Sequence, residues 1–500
     1  MFKAHRDELL DIARFYANEA VTSDIYVLEA WKYQGVDTCD ESNFRHIVIE
    51  DGQVQDWLDQ KDEFAVFSSP TAHAVLEGSI RLLFCDRTDY RPPGFGMSKE
   101  SYLAVERDLH LPNSTLESIF SYQGSYSKHL TPASDDSSEG RRLCLTMKVA
   151  QKMPIANYAL SMSYDPVTKI TTALIHGSYL HTVLPTMRNS LWHQPLGRTP
   201  TARHLDYAHL RLPNDPFEIT QSSQIIAHLK SCVEQWTHPL FLPILLVYNY
   251  RIRSHLFAWD LDDQVVDLER QTGVVFAGRT VRTKETSVLP ESIPREKIRD
   301  LTKYMHTLMA EIIFFERVVE WTSDCNDWLE SVADELYQLK VEKDSEILEM
   351  IQFMRSDAKN FKGLVRALKE RVQSQINVLY SYIAQIDNSI NAKIAVSSAR
   401  DSSAMKTLAL ITTVFLPGTY VATLFSMLMF TWSSSTSSPS SSSDPIVSPK
   451  FWIYWAVTIP LTLLTMLIWR IWWVWQERIY EKESRQASGE TKDLPLEEED

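Results

Sequence analysis

The chain has 500 residues, 44% of them hydrophobic, which is enough for two or three folded domains. Its formal net charge of -15 argues against nucleic-acid binding, because nothing offsets the repulsion from phosphates. Glycine is scarce, at 14 residues, and neither a Walker A sequence nor a G-x-G-x-x-G sequence occurs, which argues against a glycine-rich nucleotide site.

The N-terminal sequence MFKAHRDELLDIARFY predicts a charged amphipathic helix without the apolar core of a signal peptide. Residues 1–60 are accordingly predicted to be a helical segment with loops, inside the cytosol. The five cysteines are far apart and form no C-x-x-C pair. They predict neither a zinc site nor a disulfide framework, and they favour a reducing compartment.

Residues 61–290 are predicted to form a cytosolic α/β domain. Short apolar runs bounded by turn sequences predict strands at EFAVFSS, IRLLFCD, LCLTMKVA and ITTALIHG, and SQIIAHLKSCVEQW from Ser223 predicts a helix. His204 and His209 are five residues apart, so one helix face cannot hold both, and we expect ordinary surface or core histidines. No nucleophile elbow, metal-ligand cluster or phosphate loop is present, so we do not expect an enzyme.

The next region, up to residue 416, is predicted to be helical because it contains no proline after Pro294 and one glycine. Polar breaks near Ser323 and Asp357 predict an antiparallel helix pair over 291–358. A stalk helix over 359–430 then continues into the membrane, with a length on the order of 100 Å. The predicted helices are roughly 295–321, 325–356 and 361 onward. The alternative is a coiled-coil stalk that is separate from the membrane helix.

Two apolar segments near the C-terminus are each long enough to cross a bilayer. TLALITTVFLPGTYVATLFSMLMFTW begins at Thr407, and FWIYWAVTIPLTLLTMLIW begins at Phe451. A hydrocarbon core about 30 Å thick needs about 20 apolar residues. The sequence therefore predicts a Ser-rich loop over 431–450, a second span over 451–475 and a charged tail over 476–500.

Basic residues flank this hairpin on one side. Lys406 precedes the first span and Arg470 follows the second, whereas the loop between the spans carries only Asp444 and Lys450. The positive-inside rule then predicts cytosolic termini and an outer loop, with the plasma membrane as the default assignment. Tryptophans are predicted to form an outer belt at 432, 452 and 455 and an inner belt at 472, 473 and 475.

A stripe of hydroxyl residues lies in the first span. The spacings of 7, 4 and 3 positions between Thr412, Thr419, Thr423 and Ser426 place these hydroxyls on one helix face. Copies around an axis would form a channel in which hydroxyl rings alternate with apolar constrictions. The alternative is that the hydroxyls bond their own backbone or neighbouring helices. The predicted pore-lining residues are Ser402, Met405, Leu408, Thr412, Leu416, Thr419, Thr423 and Ser426, followed by Leu428.

The sequence AMKTLALITTVFLPGTYVATLF, the outer loop, the second span and the basic inner end resemble the CorA-type divalent-cation transporters over about 290–485. The resemblance implies a homopentamer, with a cytosolic α/β domain, an antiparallel helix pair and a long pore-lining helix in each subunit. It also implies pore-facing positions that coincide with the stripe. A divalent cation is then the transported ion, and no organic cofactor is expected.

The chain departs from the family at its selectivity ring. The family's Gly-Met-Asn aligns with Ser426-Met427-Leu428, and leucine offers no oxygen to a hydrated ion. The family's Mg²⁺-sensing aspartate aligns with Asn391, and the outer loop holds one carboxylate. The candidate metal ligands are therefore Asp387, Asp401 and Asp444.

These features predict channel-like transport of a divalent metal cation into the cytosol, with Mg²⁺ as the leading candidate. Zn²⁺, Ni²⁺ and Co²⁺ are the alternatives, because the changed ring predicts broad selectivity. The expected partners are further copies of the chain and the lipid bilayer, and no nucleic acid. The competing hypothesis is a non-conducting CorA-like scaffold or sensor at the membrane.

Overall fold

The structure is a computed structural model in which the chain divides into two units, Met1–Tyr380 and Ser381–Asp500. The described residues are 2–15, 25–35, 39–66, 75–88, 94–121, 123–132, 141–152, 155–181, 220–273, 295–338, 344–427 and 451–490.

The first unit is built on a mixed β-sheet. The strands described are β1 (Arg14–Phe15), β2 (Ile25–Tyr33), β3 (Phe44–Ile49), β4 (Leu76–Thr88), β5 (Gly94–Phe95), β6 (Ser125–Pro132), β7 (Arg141–Lys148), β8 (Tyr158–Asp165) and β9 (Ile170–Gly177). Their order is β1-β5-β4-β9-β8-β7-β6, and β2 pairs with both β3 and β4. β4 and β9 are parallel, whereas β6, β7, β8 and β9 form an antiparallel meander.

Helices cover both faces of this sheet. They are α1 (Phe2–Ile12), α2 (Val54–Leu58), α3 (Lys99–Asp108), α4 (Thr115–Phe120), α5 (Gln221–Lys230), α6 (Phe241–Thr272), α7 (Arg295–Gln338) and the first part of α8 (Ser345–Phe425). On one face, Trp57 and Tyr102 belong to a buried apolar cluster with Val27 and Leu83. On the other face, the Tyr158 hydroxyl donates to a backbone carbonyl of α6. The predicted α/β class is confirmed.

Several predicted elements are confirmed, and two are wrong. IRLLFCD lies in β4, LCLTMKVA begins in β7, ITTALIHG forms β9, and the predicted helix near Ser223 is α5. The described part of EFAVFSS, residues 63–66, instead begins in the 3-10 turn Asp62–Phe64, where the Phe64 side chain is buried and its backbone N–H donates to the Lys61 carbonyl. Residues 1–60 are also not purely helical, since β2 and β3 lie there and β2 is buried almost throughout.

The predicted helix breaks are also wrong. α7 runs through Ser323 to Gln338, and α8 begins at Ser345 and passes through Asp357. Ser323 is buried within α7, next to Cys325, whose thiol contacts Met147 of the sheet. Asp357 is paired with α6, so its polarity does not end the helix. The expected boundary between 358 and 359 therefore falls inside one continuous helix of 81 residues.

The second unit contains the rest of α8 and a further helix, α9 (Trp452–Glu490). Both helices are long and apolar enough to cross a membrane, with windows of mean hydropathy 1.7 and 1.6. Within those windows only 11% and 6% of the residues are buried. Each helix also contains one proline, Pro417 in α8 and Pro460 in α9.

Candidate functional site

The predicted stripe forms an exposed face of α8. Met405, Leu408 and Leu416 are between 57% and 69% exposed. The exposed polar members of this stripe are Ser402, Thr412, Thr419, Thr423 and Ser426. The described members of the predicted stripe are therefore exposed, and their role in lining a pore remains a prediction.

The hydroxyls of the stripe donate to the backbone of their own helix. Thr412 donates to the carbonyls of Leu408 and Ala409, at 3.0 and 2.9 Å. Thr423 and Ser426 each donate three residues back, at 2.8 and 2.7 Å. This is the geometry expected of hydroxyls that satisfy themselves in a membrane helix. Because each hydroxyl proton points to a carbonyl of the same helix, each exposed oxygen keeps lone pairs that can accept a hydrogen bond from water or contact a cation.

The opposite side of the same helix packs against α9. Pro417 is buried and Val421 is 4% exposed. The Tyr454 hydroxyl donates to the Gly418 carbonyl at 3.3 Å. A Cβ atom added at Gly418 would lie 3.6 Å from the side chains of Tyr454 and Thr458, an ordinary contact distance. The contact with α9 thus lies on a different face of α8 from the hydroxyl stripe.

Two of the candidate metal ligands extend this stripe along α8. Asp387 and Asp401 are exposed and 14 positions apart, and Thr412 follows 11 positions after Asp401. At about 3.6 residues per turn these spacings are close to whole turns, so the three residues lie on one face of a straight helix. A separation of about 20 Å prevents the two carboxylates of one chain from sharing an ion.

Two predicted residues lie outside the described part of the chain, Leu428 and Asp444, as do His204 and His209. Among the residues that are described, no three or more His, Cys, Asp or Glu side chains are grouped so that they could hold a metal ion.

Sequence reasoning missed the ion pairs that attach α8 to its neighbours in the first unit. Arg371 donates to both carboxylate oxygens of Glu269, at 2.7 and 3.0 Å, and to Asp262 at 2.5 Å. Arg251 makes a bidentate pair with Asp357, at 2.6 and 3.0 Å. The partners of Arg371 are 102 and 109 positions away along the chain. No local pattern therefore distinguishes it from an exposed arginine.

The electrostatics of these pairs follow from burial and hydrogen bonding. Burial by itself would raise the pKa of Asp357, but the hydrogen bonds from Arg251 and His255 outweigh it, so this pKa lies below its ordinary value. Hydrogen bonding to Glu269 raises the pKa of Arg371. Both interactions favour the charged forms. The pairs thus hold α8 against α6 at neutral pH.

A buried serine–histidine pair also occurs in the first unit. Ser118 donates to the Thr115 carbonyl at 2.6 Å, so its oxygen is left to accept from His176 Nε2, 3.1 Å away. The His176 side chain is fully buried, and its Nδ1 has no hydrogen-bond partner. Burial depresses the pKa of His176, so the ring is neutral. A Ser-His-Asp arrangement would need a carboxylate at Nδ1, so this pair does not form one.

No family model matches the chain. A stretch of 111 residues is 33% identical to the notoamide biosynthesis cluster protein M' of Aspergillus versicolor. This match covers 21% of our chain and 21% of the relative's length. The full-length CmaX protein structure aligns with 91% of this chain and 99% of its own, at 14% identity and a TM-score of 0.26. A TM-score this low carries no argument about fold, and the CorA resemblance stays a prediction.

Proposed function

We propose that this chain is a CorA-like membrane protein that passes a divalent metal cation, with Mg²⁺ as the leading candidate, into the cytosol. The observation that supports the proposal is the exposed face of α8, where hydroxyl and apolar side chains alternate on a different side from the Gly418 contact with α9. Such a face, repeated around an axis, combines oxygen rings with apolar constrictions that can close by dewetting.

The proposal requires several copies of the chain. A hairpin of two helices cannot enclose a pore, so conduction needs copies arranged around a rotation axis. We infer a homopentamer from the resemblance described above. In that arrangement the stripe lines the axis. The Asp387 carboxylates of neighbouring copies come close enough to one another to share a divalent ion, and so do the Asp401 carboxylates.

The competing function is a non-conducting scaffold or sensor at the membrane. It is favoured by the loss of the Gly-Met-Asn ring at Ser426-Met427-Leu428 and by the hydroxyl groups that bond their own backbone. The two functions differ in ion flux alone, because both need the same fold and the same membrane insertion.

Flux into liposomes that contain the purified full-length chain separates them. We expect uptake of Mg²⁺, with Ni²⁺, Co²⁺ and Zn²⁺ as further test ions. Thr412→Val should reduce this uptake several-fold, because it removes an oxygen from the exposed face. Thr413→Val is the matched control. Both hydroxyls donate to the Ala409 carbonyl, but Thr413 is half-buried on another face.

Equal effects of the two threonine substitutions would show that the stripe does not line the conduction path. Absence of uptake for every ion, in a preparation with normal thermal unfolding, would leave the scaffold as the function.

Membrane topology is a second test. The proposal places both termini in the cytosol, because basic residues flank the hairpin on one side. In a cysteine-free variant, one cysteine placed within 431–450 should react with an impermeant maleimide on intact cells. A cysteine placed near residue 490 should react only after permeabilisation. Labelling of the second position on intact cells would contradict this orientation.

A further inference from the structure

Four tryptophans lie close together in α9, at the C-terminal end of its apolar segment. They are Trp469, Trp472, Trp473 and Trp475, and we call them the tryptophan collar. Trp472 and Trp475 are 51% and 63% exposed, whereas Trp469 and Trp473 contact each other with ring centroids 5.4 Å apart. Indole rings favour the boundary between hydrocarbon and headgroups, so the collar marks where α9 leaves the hydrocarbon.

A cation from the other membrane helix meets this collar. The ammonium nitrogen of Lys406 on α8 lies 4.4 Å from the centroid of the Trp473 ring. This contact keeps the long lysine side chain at the level of the collar. Arg470, on α9 and three positions before Trp473, is exposed. Both helices therefore supply a positive charge at the same end of the hairpin.

Carboxylates are absent from this layer of the sequence. The nearest acidic residue to Lys406 is Asp401, and the nearest to Arg470 is Glu477. At about 1.5 Å rise per residue these two positions lie roughly 7 and 10 Å farther along their helices, away from the spans. The cations next to the apolar residues thus have no acidic residue nearby in the sequence.

We propose that the collar is a binding site for an anionic phospholipid, with its phosphate between Lys406 and Arg470. The acyl chains would cover the exposed apolar side chains on the span side of the arginine, Leu467 and Ile468, which are each 58% exposed. Inorganic phosphate has no apolar part that could cover these side chains, so a lipid is the better occupant. The proposal rests on the membrane insertion included in the proposed function and is independent of ion conduction.

The test is the lipid composition that the full-length protein retains. The protein is placed in mixed micelles with equal phosphatidylglycerol and phosphatidylcholine, and bound lipid is counted by native mass spectrometry. Wild type should be enriched in phosphatidylglycerol at least about fivefold, the effect expected of one surface cation. Lys406→Gln combined with Arg470→Gln should abolish the enrichment. Lys393→Gln, an exposed site on α8 far from the collar, should preserve it.

Two further arms make the result decisive. Lys406→Arg with Arg470→Lys keeps both charges and should retain the enrichment, which separates loss of charge from loss of folding. Inorganic phosphate should not displace the bound lipid at millimolar concentration. Equal enrichment in wild type and in the double glutamine variant would overturn the proposal, as would displacement by phosphate. Enrichment in a protein that carries no ion flux would leave this site intact and remove only the transport function.

Discussion

The two halves of α8 contrast sharply in their surroundings. Over 345–380 an apolar residue is buried at nearly every turn, and salt bridges reach α6 and α7. Over 391–412 every residue is exposed, including Ile394 and Val396 at 60% and 70%. A lone helix of this kind gains little from its own hydrogen bonds, because most helix stability in proteins comes from tertiary packing.

This difference shows which part of the helix the chain itself stabilises. The first half buries its apolar side chains against α6 and α7, so it belongs to a folded unit. The second half presents exposed apolar side chains, which in the proposed function are covered by lipid in the spanning part and by further copies of the chain below it. Substitutions in the two halves should therefore differ in their effect on unfolding.

The largest effect is expected at Arg371. Its side chain is 12% exposed and its partner Glu269 is 1% exposed. Arg371→Met leaves the Glu269 carboxylate buried and unpaired, which should lower the free energy of unfolding of the first unit by about 3–5 kcal/mol. Thermal unfolding of the full-length protein in detergent measures this loss.

The control for Arg371 is Arg366→Met on the same helix. Arg366 pairs with Glu370, and the two side chains are 79% and 66% exposed. An exposed pair of this kind contributes little, so unfolding should barely change. Similar losses for the two arginines would mean that the pairing of α8 with α6 is not what stabilises this half.

Substitutions of apolar side chains should distinguish the two halves of α8 in the same way. Leu368 is 1% exposed, so Leu368→Ala should destabilise the first unit by about 2–5 kcal/mol. Leu408 is 57% exposed in the single chain, so Leu408→Ala should leave thermal unfolding of that unit unchanged. It should instead weaken assembly, which mass measurement in mild detergent would detect as fewer copies per particle. A normal oligomer in the Leu408 variant would count against self-association through the stripe.

The sequence predicted those features that depend on local periodicity. The spacing of Thr412, Thr419 and Thr423 was enough to place them on one face, because a helix has a fixed pitch. The two candidate spans were equally predictable, because length and hydropathy are enough to recognise them. Helix boundaries were harder to predict from the sequence. The polarity of Ser323 predicts a break, and only the buried contact of the nearby Cys325 with the sheet shows why the helix continues.

The sheet order and the ion pairs could not be predicted in this way. β2 lies in a segment predicted to be helical, and its burial comes from pairing with both β3 and β4. Arg371 and Arg366 are alike in sequence, and only the distant Asp262 and Glu269 distinguish them. Such contacts join residues far apart along the chain, so no short window contains the information.

The smallest expected effect is the pH dependence of the Asp357 pair. The pKa of Asp357 is lowered in the folded protein, so the stability that this pair contributes is present above the ordinary aspartate pKa, about 3.9. It is lost as pH falls through the lowered folded value, because the protonated acid no longer pairs with Arg251. Asp357→Asn should therefore cost about 1–2 kcal/mol at pH 7, and the cost should shrink as the pH approaches 3. Thermal unfolding of the variant and of wild type between pH 7 and pH 3 measures the difference, with Glu370→Gln as an exposed carboxylate control on the same helix. A difference that stays constant down to pH 3 would show that Asp357 acts through packing, and that the charge pair does not hold this half of α8.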